Sequence, residues 1–290
     1  MRSLRFLPAA VAAAVLVSGC TGTKDPNAGG SHRPAPPPTL AKVKLPDDPS
    51  ALADLATRQI GRMPSVRMTA TSRLGGNDAG TISASLGRSG SAPAASLRFE
   101  EAPTGTLETV QGLMIGSTFY MRDLNSDAAP GKPWLRLSVA DLNDPRLRQV
   151  AGGFRNAVSQ IASAVKQATG ASDIANIKPG KLTAKPVEQT LDGVRVRRYT
   201  GTTDLAKLPT GNDAQDAQIA AQIRKAGVTR FPWTLWIDET GLPRKFAVSM
   251  KLGKRGAFTA NSTYGNWGAP VEVKAPPANQ VTGLAGVGGK

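Results

Sequence analysis

Cysteine and histidine are almost absent from this sequence, since each occurs once in 290 residues. A single cysteine cannot form an intramolecular disulfide, so the fold must be held by its hydrophobic core. The one histidine, His32, lies in a proline-rich stretch with no apolar periodicity. Ser-His-Asp and Cys-His nucleophiles and histidine-rich metal sites are therefore excluded from the folded part.

A carboxylate pair or a Ser-Lys pair remains open as catalytic machinery. The aspartates at 47, 48, 213 and 216 lie where predicted helices begin, which favours a role in capping. Because no clustered acidic motif is present, a carboxylate hydrolase is the weaker alternative. The sequence predicts a protein that is not an enzyme and that has no cofactor and no metal site.

The position of Cys20 predicts a lipidation site. Arg2 and Arg5 precede an apolar run over 7–17, and Ser18 and Gly19 are small residues directly before the cysteine. This arrangement is typical of a bacterial lipobox, with residues 1–19 as the signal peptide. A membrane-spanning helix, an ordinary secretory signal and a buried structural cysteine fit less well, because the apolar run is far below the ~20 residues of a span. We expect the protein on the outer face of the cell membrane, anchored through Cys20.

Two segments contain little that a core could bury. Residues 20–46 are rich in glycine, proline and serine, which predicts a linker after the lipidated cysteine. Residues 276–290 end in a glycine-rich run that predicts a flexible tail. The sequence therefore predicts one domain over 47–275.

The charge of the chain is strongly positive, +15 formally. An exported, membrane-tethered chain meets anionic lipid headgroups and wall polymers, so we expect no nucleic-acid partner. The basic residues are scattered and form no single run, which is typical of solvated strand faces.

Hydrophobic periodicity predicts mainly strands. Val66, Met68 and Ala70 alternate with polar residues, and Ile82, Ala84 and Leu86 do the same. Strands are predicted at 66–71, 81–86, 96–101, 106–111, 113–122, 134–138, 181–190, 194–203, 233–238, 244–252 and 257–264, and helices at 52–60, 147–165 and 213–226. The order predicts an α+β fold with helices on one face of an antiparallel sheet.

The inward positions of this predicted sheet include small and flexible side chains. Alanines (Ala70, Ala84, Ala247, Ala260) and methionines (Met68, Met114, Met121, Met250) need not fill a curved sheet's concave side. A ligand cavity under the helices is one interpretation, and a solid core is the other.

Three segments resemble a known family: LDGVRVRRYTGTTDL at 191–205, WTLWIDETGLPRKF at 233–246 and YGNWGAPV at 264–271. The chain is similar here, and more diffusely from about Leu52 to Val281, to the LppX/LprG (LppX_LprAFG) lipoproteins of high-GC Gram-positive bacteria. The resemblance implies an antiparallel half-open β-barrel, with helices covering its concave face and an apolar cavity between them. It also implies binding and carriage of acylated lipids or glycolipids to the outer envelope, with a lipid exporter as partner and no chemical turnover.

From pattern and resemblance together we predict residues that line the cavity. The sheet contributes Val66, Met68, Ala70, Ile82, Ala84, Leu86, Leu97, Phe246, Val248 and Met250, and the lid helix contributes Phe154, Val158 and Ile161. The alternative is a structural or interaction lipoprotein with a solid core, which binds an anionic wall polymer or a protein partner through its basic surface.

Overall fold

The computed structural model describes residues 38–101, 108–124, 127–138, 141, 165, 168–208, 223–225, 227–253 and 256–286. The first helix, α1 (Pro49–Ile60), begins at Asp48, whose carboxylate accepts a hydrogen bond from the Ala51 N–H at 2.8 Å. This carboxylate cap and proline in the first turn are the start signals that the sequence contains. The helix buries Leu52, Ala56 and Ile60 on one side, as the helical periodicity predicts, whereas Leu55, predicted on the same face, is half-buried.

Most of the described residues belong to one sheet. Its strands are β1 (Val66–Leu74), β2 (Asn77–Ser89), β3 (Ala92–Glu101), β4 (Glu108–Ile115), β5 (Thr118–Asp123), β6 (Trp134–Ser138), β7 (Lys181–Leu182), β8 (Val187–Leu191), β9 (Val194–Asp204), β10 (Arg230–Asp238), β11 (Pro243–Lys251), β12 (Ala257–Gly265) and β13 (Val281–Gly283). A second described helix, α2 (Ala171–Ile177), precedes β7, and short 3-10 turns flank β13.

The strands are ordered β13-β6-β5-β4-β3-β2-β1-β12-β11-β10-β9-β7, with β8 paired to β9. Neighbours are antiparallel except β13, which runs parallel to β6. The two ends of the order do not meet, so the sheet is open. It nevertheless curls around one core, because Leu137 on β6 and Leu235 on β10 belong to the same hydrophobic cluster.

Some predicted elements have other limits in the structure. Predicted strands 106–111 and 113–122 break at Gly116 and not at Gly112, which lies within β4 opposite Leu97 and Met121. Gly116 has φ +57°, the left-handed conformation that a tight turn requires and that glycine adopts without strain. Helix α2 was not predicted, and of the predicted helices 147–165 and 213–226 only residues 165 and 223–225, which are helical, are described.

The start of the domain lies before residue 47. We call residues 40–46 the strap: Leu40 and Leu45 pack against the core, and the Val43 N–H donates to the Glu239 carbonyl oxygen at 2.8 Å. The Arg197 guanidinium donates to the Leu45 carbonyl at 3.0 Å. The sequence placed these residues in the linker because their few apolar side chains give no periodic signal.

The predicted flexible tail also differs from the structure. Val281–Gly283 form β13 against Trp134, Leu135 and Arg136, and Leu284 is buried in the core. Three residues are too few to show an alternation, so glycine content dominated the sequence pattern here.

Candidate functional site

The apolar side chains of the sheet lie on one inner face. Strand register aligns them in cross-strand rows, one of which contains Val66, Leu86, Ala95, Met114, Phe119 and Leu137. The neighbouring row contains Met68, Ala84, Leu97, Gly112, Met121 and Leu135. Because cross-strand partners point to the same side of a sheet, these rows form one continuous apolar surface.

All the predicted sheet residues have their side chains on this inner face. Val66, Met68, Ala84, Leu97, Phe246, Val248 and Met250 are buried, whereas Ala70, Ile82 and Leu86 are half-buried. Ala247, which the cavity interpretation counted as inward, pairs with Thr234 and Asn261 on the outer face. Cys20, Phe154, Val158 and Ile161 lie outside the described residues. A lipid-binding role for these side chains stays a prediction.

A cavity of about 210 Å³ lies where α1 ends and β1 begins. Its apolar lining includes Ile60, Met63, Val66, Leu86, Met114 and Trp267, with Val165 beside them. Ser65 and Thr169 are the polar members, and none of the described lining residues is charged. The sequence argument missed Met63 and Trp267, because each lies in a connection without periodicity.

The Trp267 ring is held in place at the edge of this cavity. Its indole N–H donates to the Pro243 carbonyl at 3.1 Å, and its ring stacks on Tyr264 with centroids 6.2 Å apart. A fixed indole gives the cavity a rigid apolar wall.

The inner face over β9–β12 has a different character. Tyr199, Trp233, Leu235 and Ile237 are fully buried, and Phe231 stacks on Phe246 with centroids 6.4 Å apart. Large side chains fill this part, so it is a packed core.

Polar groups hold α2 against the packed part of the sheet. The Tyr264 hydroxyl donates to Asp173 at 2.5 Å, and the Thr203 hydroxyl donates to the Asn176 carbonyl at 2.8 Å. The Trp233 indole N–H in turn donates to Thr203 at 3.1 Å. These hydrogen bonds fix the orientation of α2, in addition to the burial of its side chains. No local sequence pattern predicts them.

Burial changes the titration of the Asp173–Tyr264 pair. Desolvation raises the pKa of Asp173 to about 6, although hydrogen bonds from Tyr264 and Ser262 oppose this. Burial, followed by the Asp173 charge, raises the pKa of Tyr264 well above its ordinary value. Asp173 therefore titrates within the mildly acidic range, while Tyr264 keeps its proton.

A wider groove of about 600 Å³ runs between the strap and the β8–β9 hairpin. Its charged lining is largely paired: Lys42 with Glu239 at 2.6 Å and Arg195 with Glu188 at 3.4 Å. Arg197 pairs with Asp47 at 2.7 Å and lies over the Tyr199 ring. The Lys42–Glu239 pair attaches the strap to the domain, and the Arg197–Asp47 pair holds the residue that follows the strap.

The buried carboxylates have structural partners. Asp238 accepts hydrogen bonds from Thr240 and the Leu242 N–H and pairs with Arg244 at 2.7 Å, which closes the β10–β11 turn. Across the described ranges, no group of three His, Cys, Asp or Glu side chains could hold a metal ion. No helix among those residues has the length and hydropathy to cross a membrane.

No family model matches this chain. A relative in Streptomyces griseus, an uncharacterized 31.2 kDa protein of the rplA-rplJ intergenic region, is 27% identical over 177 residues. The match covers 59% of this chain and 55% of that protein, so the chain spans about half the length of this curated relative.

The fold defines a class: a mostly β protein with an open sheet and few helices. LprF from Mycobacterium bovis has a similar structure with a TM-score of 0.47 and 14% identity, over 79% of this chain and 96% of that chain. The lipoprotein LppX of Mycobacterium tuberculosis has a TM-score of 0.43 and 14% identity, over 78% of this chain and 98% of that chain. Both are LppX/LprG lipoproteins, the family that segments 191–205, 233–246 and 264–271 resemble.

Proposed function

We propose that this domain binds an acylated lipid or glycolipid on the inner face of its sheet and carries it toward the outer envelope. The observation that carries the proposal is the apolar cavity, whose described lining is uncharged, together with several neighbouring inner-face side chains that are only half-buried. Ile82, Leu86, Phe99, Met114 and Met121 are in this state. In a chain of high positive charge, a cavity whose described lining carries no charge favours an apolar ligand group.

Acyl chains provide the free energy for such binding. Each methylene that leaves water contributes about 0.8 kcal/mol, so an acyl chain crosses an aqueous gap only when a protein covers it. The 210 Å³ cavity is smaller than the ~300–1,000 Å³ of ligand sites. We infer that the bound chain extends from this cavity past the half-buried side chains of the inner face, where the flexible Met114 and Met121 side chains can move aside.

The proposal includes the cellular context that the sequence predicts. Cys20 anchors the protein to the outer face of the cytoplasmic membrane, and a lipid exporter receives or supplies the ligand. The resemblance of segments 191–205, 233–246 and 264–271 to the LppX/LprG family supports this assignment.

A pair of tryptophan substitutions tests the site. Leu86→Trp fills the cavity, so we expect co-purifying lipid, measured by mass spectrometry of organic extracts, to fall severalfold with little change in the unfolding midpoint. Leu235→Trp is the control in the packed part, where the added volume costs about 1–3 kcal/mol of unfolding free energy. A parent protein without lipid, together with equal destabilisation by both substitutions, would favour the solid-core interaction lipoprotein.

The anchor has its own test. Cys20→Ala should abolish incorporation of an alkyne fatty acid during metabolic labelling, because the thiol sulfur is the atom that carries the diacylglyceryl group. Cys20→Ser is a second variant of similar size, and label that survives in both would exclude the lipobox interpretation.

A further inference from the structure

One row of side chains on the outer face of the sheet carries cations from distant parts of the sequence. Strand register places these residues side by side from β9 to β5: Arg198, Trp236, Lys245, Thr263, Thr69, Ser83, Arg98, Gln111 and Arg122. We call this set the outer row. Each member is exposed or half-buried. Its composition is cations, an aromatic ring, hydroxyls and an amide, with no carboxylate.

The adjacent row extends the positive surface. It contains Gly265, Arg67, Ser85, Ser96, Leu113, Tyr120 and Arg136, again without an acidic residue. On the other side of the outer row, Glu100 pairs with Arg98 at 2.6 Å. Two neighbouring rows therefore carry an excess of cations that this single carboxylate does not balance.

Two donors in the outer row have no acceptor among the described residues. They are the Arg122 Nε and the Trp236 Nε1, whose atoms are shielded from solvent and make no hydrogen bond. The Lys245 ammonium lies 5.1 Å from the Trp236 ring centroid, a cation–π arrangement that holds the charge over the aromatic face. Such shielded atoms would reach an outside acceptor only if their side chains moved, so the exposed guanidinium groups of Arg98 and Arg198 provide the accessible donors of this row.

We propose that the outer row binds a linear polyanionic polymer of the cell envelope. The row crosses the strands for about 38 Å at about 4.8 Å per strand, which suits a ligand with repeated anionic groups. The sheet curls around its core, so a flexible polymer can follow the outer surface, whereas a flat bilayer contacts only part of it. Guanidinium groups bind phosphate and carboxylate oxygens with paired N–H donors.

This binding is separate from the proposed lipid site, because the row lies on the opposite face of the sheet from Leu86 and Met114. A polymer bound there would hold the domain at a set position in the envelope while the inner face stays free for ligand. Loss of one function therefore leaves the other measurable.

Poly(glycerol phosphate) is the probe, used with the chain from residue 20 onward carrying Cys20→Ser. Arg98→Gln combined with Arg198→Gln should weaken binding by about tenfold or more, because charge-assisted contacts are lost. Arg58→Gln combined with Arg195→Gln removes the same charge from exposed positions outside the outer row, and binding should change less than twofold. Circular dichroism and the unfolding midpoint check that both proteins are folded.

A third variant separates geometry from charge. Arg198→Lys keeps the charge and removes the paired guanidinium donors, so we expect a severalfold loss of polymer affinity with an unchanged salt dependence. Equal losses in the row pair and the control pair would overturn the proposal. The proposal would also fail if glycerol phosphate bound as tightly per phosphate as the polymer did. Binding of anionic phosphatidylglycerol vesicles by a protein that does not bind the polymer would overturn it as well. The lipid content of each variant should equal that of the parent.

Discussion

The two halves of the sheet have the same apolar inner face and differ in how it is packed. Over β9–β12, Tyr199, Trp233 and Leu235 are fully buried beneath the helices. Over β1–β6, Leu86 and Met114 remain half-buried beside a cavity. Large aromatic side chains and polar contacts to α2 make the first surface a fixed core, whereas smaller and more flexible side chains leave room at the second. Strand alternation alone therefore does not distinguish a core from a binding face.

Matched leucine truncations give the largest expected difference between the halves. Leu235→Ala should lower the unfolding free energy by about 3–5 kcal/mol, because a fully buried side chain leaves a cavity. Leu86→Ala should cost about 1–2 kcal/mol, since the half-buried Leu86 already borders empty space. Urea denaturation of both variants measures the comparison, and equal costs would show that the two halves are packed alike.

The buried Asp173 gives the packed half a pH dependence. Folding raises its pKa from 3.8 to about 6, so the folded state holds a proton that the unfolded chain has released. Its contribution to stability is complete below pH 3.8 and is lost as the pH rises through about 6. The unfolding free energy should therefore gain up to about 3 kcal/mol from this group as the pH falls from 7 to 4.

Asp173→Asn isolates this contribution from that of other carboxylates. The difference in unfolding free energy between parent and variant should change over pH 4–7 and stay constant above it. Asp54→Asn, at an exposed carboxylate paired with Lys178, is the control. Its difference in unfolding free energy from the parent should not follow the pH profile of the Asp173→Asn difference. A parent and Asp173→Asn variant with parallel pH profiles would contradict the assignment.

The strap offers the smallest effect. Val43→Pro removes the N–H that donates to the Glu239 carbonyl and should lower the unfolding free energy by about 1 kcal/mol, because the strap packs on the domain. Ala41→Pro, at an exposed neighbouring position, should change the unfolding midpoint within error. Equally small changes in the unfolding midpoint for both variants would show that residues 40–46 behave as part of the linker.

The sequence correctly predicted those elements whose signals lie within a few neighbouring residues. Alternation identified the inner faces of β1, β2 and β11, and Asp48 followed by Pro49 identified the start of α1. The break between β4 and β5 was misplaced because Gly112 and Gly116 look alike in sequence, and only the turn conformation of Gly116 separates them. Helix α2 was missed because polar residues, Ser172, Asp173 and Asn176, form much of its buried side.

Sequence alone determined most of the inner-face residues, because side chains in a strand alternate with a period of two wherever the strand lies, although Ala247 was assigned to the wrong face. It also determined the absence of histidine and thiol chemistry from the predicted domain. Only the tertiary structure decided which part of the inner face is filled, since that depends on helices and side chains far apart in the chain. The same holds for the outer row: Arg98, Arg122 and Arg198 are scattered in sequence, and hydrogen-bond register across the strands brings them into one line.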